Sequence, residues 1–255
     1  MDFEDIIYEK KDGIAWITIN RPEKRNSLRH KTWTELYKAV VDASIEATIG
    51  VIVLTGAGEK AFCSGADQNE QETPEYRVIC FALANAIMKA PKPIIASVSG
   101  YAIGGGNWLH SICDLTIAAD NAIFGQVGPR VGSLASGFML PFQARMVGEK
   151  KAREMWMLCE QYSAEEALDM GLVNTVVSLD RLHEETESWC KKLLAKSPTC
   201  LRAVKACFNQ SLGHLHTADS LEEIMVPGWS YMDESKEGVR AFLEKREPDF
   251  SKFRK

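Results

Sequence analysis

Short β-branched runs alternate with stretches of helical spacing along the first half of the chain. Ile6-Ile7-Tyr8-Glu9 and Ile14 to Ile19 flank Lys11-Asp12-Gly13 and predict a hairpin. Val51 to Leu54, Ile94 to Val98, Asp114 to Ala118 and Ala122 to Gly125 read as further strands. Trp33, Leu36, Tyr37, Val40 and Val41 recur at helical spacing within 31–45. A second helix is predicted from Pro74 to Met88, closed by Pro91 and Pro93. This alternation predicts a parallel sheet with crossover helices.

From Gln126 to Gly137 the chain is irregular and rich in glycine, and then it turns helical. Helices are predicted over Met139–Met146, Lys150–Leu158, Leu179–Ala195 and Pro198 to about Leu212. Between them, Ser163 caps a short helix with Glu166 three residues on and Gly171 as its stop, and Val173–Val177 is a short strand. The chain divides into an α/β core, 1–195, and a helical C-terminal region, 196–255. Phe242, Phe250 and Phe253 stand in a charged tail that reads either as a docking segment or as a frayed end.

With 255 residues the chain can bury a full core. Its net charge of −5 argues against nucleic acid as a partner. The seven cysteines form no C-x-x-C pair, which argues for a reducing compartment and against a zinc site. No His/Asp/Cys spacing has the look of a metal site. The acidic N-terminus has no signal pattern, and no stretch is apolar enough to span a bilayer, so a cytoplasmic protein is expected.

Candidate chemistry centres on two glycine loops. The strand at 94–98 runs into Gly100-Tyr101-Ala102-Ile103-Gly104-Gly105-Gly106-Asn107, with a helix expected from Trp108. Bare glycine N–H groups beside a helix N-terminus make a good oxyanion site. After Val51–Gly56 and a turn, Ala61-Phe62-Cys63-Ser64-Gly65-Ala66-Asp67 offers a second donor. Either loop taken singly is equally an ordinary turn. The basic loop Asn20 to Ser27 suits a phosphorylated ligand or, as readily, solvent.

These two loops in this order resemble the crotonase, or enoyl-CoA hydratase/isomerase, superfamily. Asn20-Arg21-Pro22-Glu23-Lys24-Arg25-Asn26, Cys113-Asp114-Leu115, Phe124-Gly125-Gln126 and the helix from Ser163 before Gly171-Leu172-Val173 extend the resemblance over nearly the whole chain. It implies a spiral of ββα units, a C-terminal helical trimerisation region, and a homo-trimer or hexamer. It also implies a CoA-thioester substrate, with the thioester oxygen held by the N–H groups of Ala66 and Gly105. CoA contacts are expected at Arg25, Ser64 and Ala66, and no tightly bound cofactor is expected. The segments Phe124–Ser133 and Gly148–Glu154 and the tail from Asp233 to Phe250 are similar to the branch of 1,4-dihydroxy-2-naphthoyl-CoA synthase and 2-ketocyclohexanecarboxyl-CoA hydrolase.

The departures from the family pattern bear on mechanism. The two glutamates of classical hydratases fall at Trp108 and Gly128, so ordinary water addition lacks its carboxylates. The synthase serine is matched by Ser133, its aspartate position is Ala135, and its tyrosine position is Ser230, beside Tyr231. Bicarbonate, borrowed as a base by some synthases, would sit near Gln126 and Gly128, where Val127 replaces the expected threonine. A pocket of Gln68, Tyr76, Trp108, Gln126, Gly128 and Leu134 is expected to suit a cyclic, largely apolar acyl group.

Several residues carry two readings. Ser133 is a proton relay or an ordinary loop hydroxyl. Trp108 lines the pocket or packs in a helix core. Tyr76 approaches the site or packs on the sheet. Asp67 is more simply a cap than a base, His110 is by default a satisfied core or surface histidine, and Glu70 and Glu72 lie on a polar stretch able to swing over the site. The expected reaction is C–C hydrolysis of a β-keto cyclic acyl-CoA. The alternatives are ring closure, cyclic enoyl-CoA hydration or isomerisation, and CoA-thioester binding without turnover.

Overall fold

The computed structural model describes residues 2–70, 74–134, 137–210 and 225–254. β1 (Ile6–Lys11) and β2 (Ile14–Ile19) form the expected antiparallel hairpin. Asp12 and Gly13, at φ 52° and 80°, supply its left-handed two-residue turn. α1 (His30–Ile45) buries Trp33, Leu36, Ala39 and Val40, while Val41 sits on its solvent edge.

A strand–strand–helix unit then repeats. β3 (Val51–Gly56) and β4 (Ala61–Cys63) precede α2 (Pro74–Lys89); β5 (Ile94–Val98) and β6 (Tyr101–Ile103) precede α3 (Gly105–Ile112). β7 (Leu115–Ala119) and β8 (Ile123–Gly125) precede the one-turn α4 (Gly128–Val131). Later come β9 (Gln161–Ser163) and β10 (Thr175–Val177). The first strand of each unit joins a six-stranded sheet, β1-β2-β3-β5-β7-β10. The second joins a four-stranded sheet, β4-β6-β8-β9. Pairing is parallel except in the hairpin and between β8 and β9. This is the ββα spiral that the resemblance implies.

Both faces of the six-stranded sheet are covered, which explains the unbroken apolar runs. Ile52, Leu54, Ile94 and Ala96 face the larger core shared with the second sheet, α1 and α2. Val51, Val53, Ile95 and Ile117 face a smaller core closed by Leu182 and Cys190 of α8 (Leu182–Leu194).

Two segments differ from the sequence expectation. Ala61–Cys63 and Tyr101–Ile103, expected as parts of the two glycine loops, are strands. At three residues each they carry no periodicity, and they are defined by pairing with one another, Ala61 opposite Tyr101 and Cys63 opposite Ala102. Helix α3 begins at Gly105, not at Trp108.

α5 (Met139–Val147), α6 (Glu149–Leu158) and α7 (Ala164–Asp169) follow, α7 carrying the expected reciprocal cap. The Glu166 N–H donates to Ser163 Oγ at 3.3 Å, and the Ser163 N–H donates to the Glu166 carboxylate at 2.8 Å. α9 (Pro198–Gln210) is pinned by the buried Lys205 ammonium. It donates to Ile87 O at 2.9 Å, Lys92 O at 3.1 Å and Asp114 Oδ2 at 2.7 Å. α10 (Asp233–Leu243) packs on α4. Among the described residues no helix is long and apolar enough to cross a membrane.

Candidate active site

The two glycine loops meet. A Cβ built on Gly65 would lie 3.4 Å from the Gly105 nitrogen and 3.0 Å from the Ile103 carbonyl oxygen. Gly65, at φ +97°, holds a backbone conformation that a side chain strains, and it presents the next peptide, that of Ala66, beside the first turn of α3. The neighbouring backbone groups are committed: Leu28 N–H donates to Gly65 O at 2.8 Å, Asp67 N–H to Leu28 O at 2.9 Å, and Gly104 N–H to Gly125 O at 3.0 Å. The Ala66 and Gly105 N–H groups find no acceptor among the described residues. Two unclaimed donors, one at a helix N-terminus, are what a developing thioester oxyanion needs.

Charged side chains fix the Ala66 loop. Arg21 donates to Asp67 Oδ2 at 3.0 Å and to Ser27 O at 2.6 Å, and Arg29 clasps Asp5 alongside at 2.6 Å. Burial pushes the Asp67 carboxyl up, but hydrogen bonds from Asn69 and Arg21 outweigh it and hold it below the usual carboxylate range. Asp67 is therefore a structural anion rather than a base. Tyr76 adds a further tie: its hydroxyl accepts from Trp33 Nε1 at 2.7 Å and donates to Leu28 O at 3.2 Å, the carbonyl that also receives Asp67 N–H.

The Gly105 loop is fixed by backbone proximity instead. A Cβ on Gly106 would stand 2.0 Å from Cys63 O, so α3 starts where it does because its first turn lies directly on β4. One turn further, the buried His110 donates from Nε2 to Asn107 Oδ1 at 2.8 Å, with Nδ1 3.3 Å from Thr116 Oγ1. Burial pushes its pKa down to about 3, so it is neutral at pH 7, the satisfied core histidine of the default reading.

Beside the donor pair lies a cavity of about 190 Å³. Ser64, Ala66, Gln68, Tyr76, Gly105, Trp108, Gln126, Gly128, Ser133 and Leu134 all line it, so ten expected site residues come together. Arg25 stands apart, exposed over the Tyr101 ring at 5.8 Å, although its carbonyl accepts the Ser64 N–H at 3.1 Å. Among its described lining residues there is no aspartate or glutamate. Glu70 lines an adjoining cavity of about 530 Å³, where its carboxylate accepts the His30 N–H at 2.6 Å. Ser230 lines that second cavity too, whereas Tyr231 is exposed. Glu72 and Ala135 lie outside the described residues. No group of three metal-ligating side chains occurs among the described residues.

Sequence reasoning missed Trp33, Trp156 and Phe242, which also line the cavity. Trp33 is visible in the sequence only as a core position of α1. Phe242 reaches the cavity from α10, some 176 residues beyond Ala66, and no local signal foretells that approach.

At the second position where hydratases carry a glutamate, Gly128 is crowded. A Cβ there would lie 2.8 Å from Ser133 O. The next residues are clamped as well: Trp229 Nε1 donates to Gly132 O at 2.8 Å, and a Cβ on Gly238 of α10 would meet the Val131 carbonyl at 2.4 Å.

Residues 9–253 match the enoyl-CoA hydratase/isomerase family, so the chain belongs to that family of acyl-CoA enzymes, the crotonases. It is similar to an enoyl-CoA hydratase from Mycobacterium avium subsp. paratuberculosis K-10, with 29% identity over 98% of this chain and 99% of that one and a TM-score of 0.90. An enoyl-CoA hydratase from Bacillus anthracis is 30% identical over 97% and 99% of the two chains, with a TM-score of 0.77. A methylmalonyl-CoA decarboxylase in complex with 2-nitronate-propionyl-CoA is 27% identical over 98% and 99%, with a TM-score of 0.88.

Proposed function

We propose that the protein cleaves a carbon–carbon bond in a β-keto acyl-CoA, opening a cyclic acyl group by hydrolysis. One observation carries the reading: the residues of an unclaimed pair of N–H donors line a cavity with no carboxylate among its described lining residues, while Asp67, Glu70 and Glu244 line the adjoining one. Classical hydration depends on paired carboxylates to handle water and proton. C–C hydrolysis depends chiefly on a stabilised leaving enolate. Water adds to the β-ketone, and the bond between the carbonyl carbon and Cα breaks. Its electron pair passes into the thioester as an enolate held by Ala66 and Gly105. The proton released by the hydrate ends on Cα, leaving a carboxylic acid and a saturated thioester. Ser133, lining the cavity, is the hydroxyl placed to relay that proton. Trp33, Tyr76 and Trp108 give the cavity an aromatic wall suited to a ring.

A second reading rests on the same lack of a carboxylate. Loss of carbon dioxide from a β-carboxyl acyl-CoA produces the enolate with no base at all, and one of the similar structures is a methylmalonyl-CoA decarboxylase. Ring closure has less support, because it needs a group to deprotonate the substrate. We place CoA phosphate recognition near Arg25, and residues 196–255 in the contacts of a trimer or hexamer in the cytoplasm. The exposed Val204 and Phe208 of α9 support the assembly, and a monomer by light scattering would refute it.

The experiment is turnover of 2-ketocyclohexanecarboxyl-CoA with mass spectrometry of the product, with and without bicarbonate. Gain of one water with ring opening is the expected result. Dependence on bicarbonate would assign the base to a borrowed anion near Gln126 and Gly128. Tight binding without any mass change would favour the non-catalytic reading, and release of carbon dioxide from a malonyl-type thioester would favour decarboxylation.

A further inference from the structure

Two residues that line the cavity carry buried donors with no partner among the described residues. Trp108 Nε1 and Gln126 Nε2 are shielded from solvent and have no hydrogen-bond partner among the described residues. Gln126 is 3% exposed. An orphaned buried N–H is costly, and only five side-chain atoms of the described residues are in that state. Two of the five belong to residues lining this one cavity.

Their place in the chain sets them around the oxyanion pair. Trp108 lies one turn into α3, its N–H donating to Gly104 O at 2.9 Å. Gln126 follows Gly125, whose carbonyl receives the Gly104 N–H at 3.0 Å. Both residues are thus joined through the backbone to Gly104, and they line the same cavity as Gly104 and Gly105, where the thioester carbonyl would sit. Trp33 packs on Trp108 with ring centroids 5.6 Å apart, which holds the indole without using its N–H.

We infer that Trp108 Nε1 and Gln126 Nε2 form a second pair of donors, a site for an acceptor oxygen, which selects acyl groups carrying an oxygen on the carbon β to the thioester carbonyl. The inference rests on the proposed thioester chemistry of this site and names its substrate class. In C–C hydrolysis the same two donors would receive the alkoxide that forms as water adds to the ketone. The site would thereby stabilise charge at both ends of the breaking bond. A β-carboxylate presents the same acceptor, so the source of the oxygen is decided by experiment.

The test uses thioether analogues, in which the thioester carbonyl is a methylene and no thioester enolate can form. Affinities of cyclohexylmethyl-CoA and 2-oxocyclohexylmethyl-CoA are compared by calorimetry, with a 2-carboxypropyl-CoA and isobutyl-CoA pair as the carboxylate arm. The oxygenated member of at least one pair is expected to bind about tenfold or more tightly, as one or two net hydrogen bonds provide. W108F keeps the ring packing and Q126L the approximate volume, and each is expected to remove about tenfold of that preference or all of it. Either variant suffices, so failure of Q126L to fold leaves the W108F comparison standing. In ¹⁵N-tryptophan spectra the Trp108 indole resonance, assigned by its loss in W108F, is expected to move with the oxygenated ligand and not with its partner. Equal affinities within both pairs, or a preference indifferent to W108F and Q126L together with a Trp108 indole resonance that does not move with the oxygenated ligand, would overturn the inference. Preference for the ketone without cleavage of the β-keto thioester would uphold the site while removing C–C hydrolysis. Preference confined to the carboxylate pair would uphold the site and transfer the reaction to decarboxylation.

Discussion

The two halves of the proposed oxyanion pair are held by opposite means. Ala66 sits in a lattice of side chains, Arg21, Asp67, Arg29, Asp5 and Tyr76, whose charges and hydroxyls tie the loop to β1, α1 and α2. Gly105 has no such lattice. Its position follows from a helix end laid on a strand with no room for a methyl group between them. One half is vulnerable to lost charge, the other to added volume.

The steric half should fail hardest. Gly106→Ala drives a Cβ against Cys63 O, and a loss of about 3 kcal/mol or more is expected in denaturant titration, with turnover falling at least a hundredfold. Gly105→Ala is its control. There a Cβ meets only ordinary contacts at 3.5–3.6 Å, so the fold is expected to hold, whereas Gly105→Ile should abolish turnover. If Gly106→Ala were as stable as the native chain, the distinction between the halves would collapse.

Asp67→Asn is next in size. It leaves Arg21, 11% exposed in its side chain, without its nearest carboxylate, and a loss of about 2 kcal/mol is expected with a fall in kcat rather than in KM. Acid separates the halves in sequence. His110 has a folded pKa of about 3 against an ordinary value of 6.5, so its contribution is complete above pH 6.5 and is lost as pH falls below it. Roughly 2 kcal/mol should be gone by pH 5. Asp5 and Asp67 are both held below the usual carboxylate range, so their contribution persists to about pH 4 and is lost beneath it. His110→Gln should flatten the upper limb of the stability profile and leave the lower one intact. Tyr76→Phe is the mildest change. Leu28 O keeps the Asp67 N–H while Trp33 Nε1 loses its acceptor, and about 1 kcal/mol with a few-fold drop in kcat is expected.

The same contrast explains what could be read from the sequence. The Ala66 and Gly105 loops were legible because strand, glycine and helix signals lie within a few residues of each other. The buried strands announced themselves by β-branched runs. β4 and β6 did not, since three residues have no period and their pairing spans about 40 positions. Nor did the tie from Tyr76 through Leu28 to the Ala66 loop, because a carbonyl held from two sides leaves no trace in composition. The helical spacing of α1 placed Trp33 in the core correctly, yet gave no sign that the same ring also walls a cavity.

Gly128 carries a consequence for anyone wishing to place the second hydratase glutamate on this scaffold. Its neighbours form a ratchet: Ser133 O closes over it, and the C-terminal helix leans on Val131 from behind. A carboxylate inserted at 128 by a single codon change would enter a space already occupied by main chain. Regaining it would require re-routing 128–133 and lifting α10 in the same step. The thickness of the backbone, as well as the choice of side chain, thus keeps a carboxylate out of position 128.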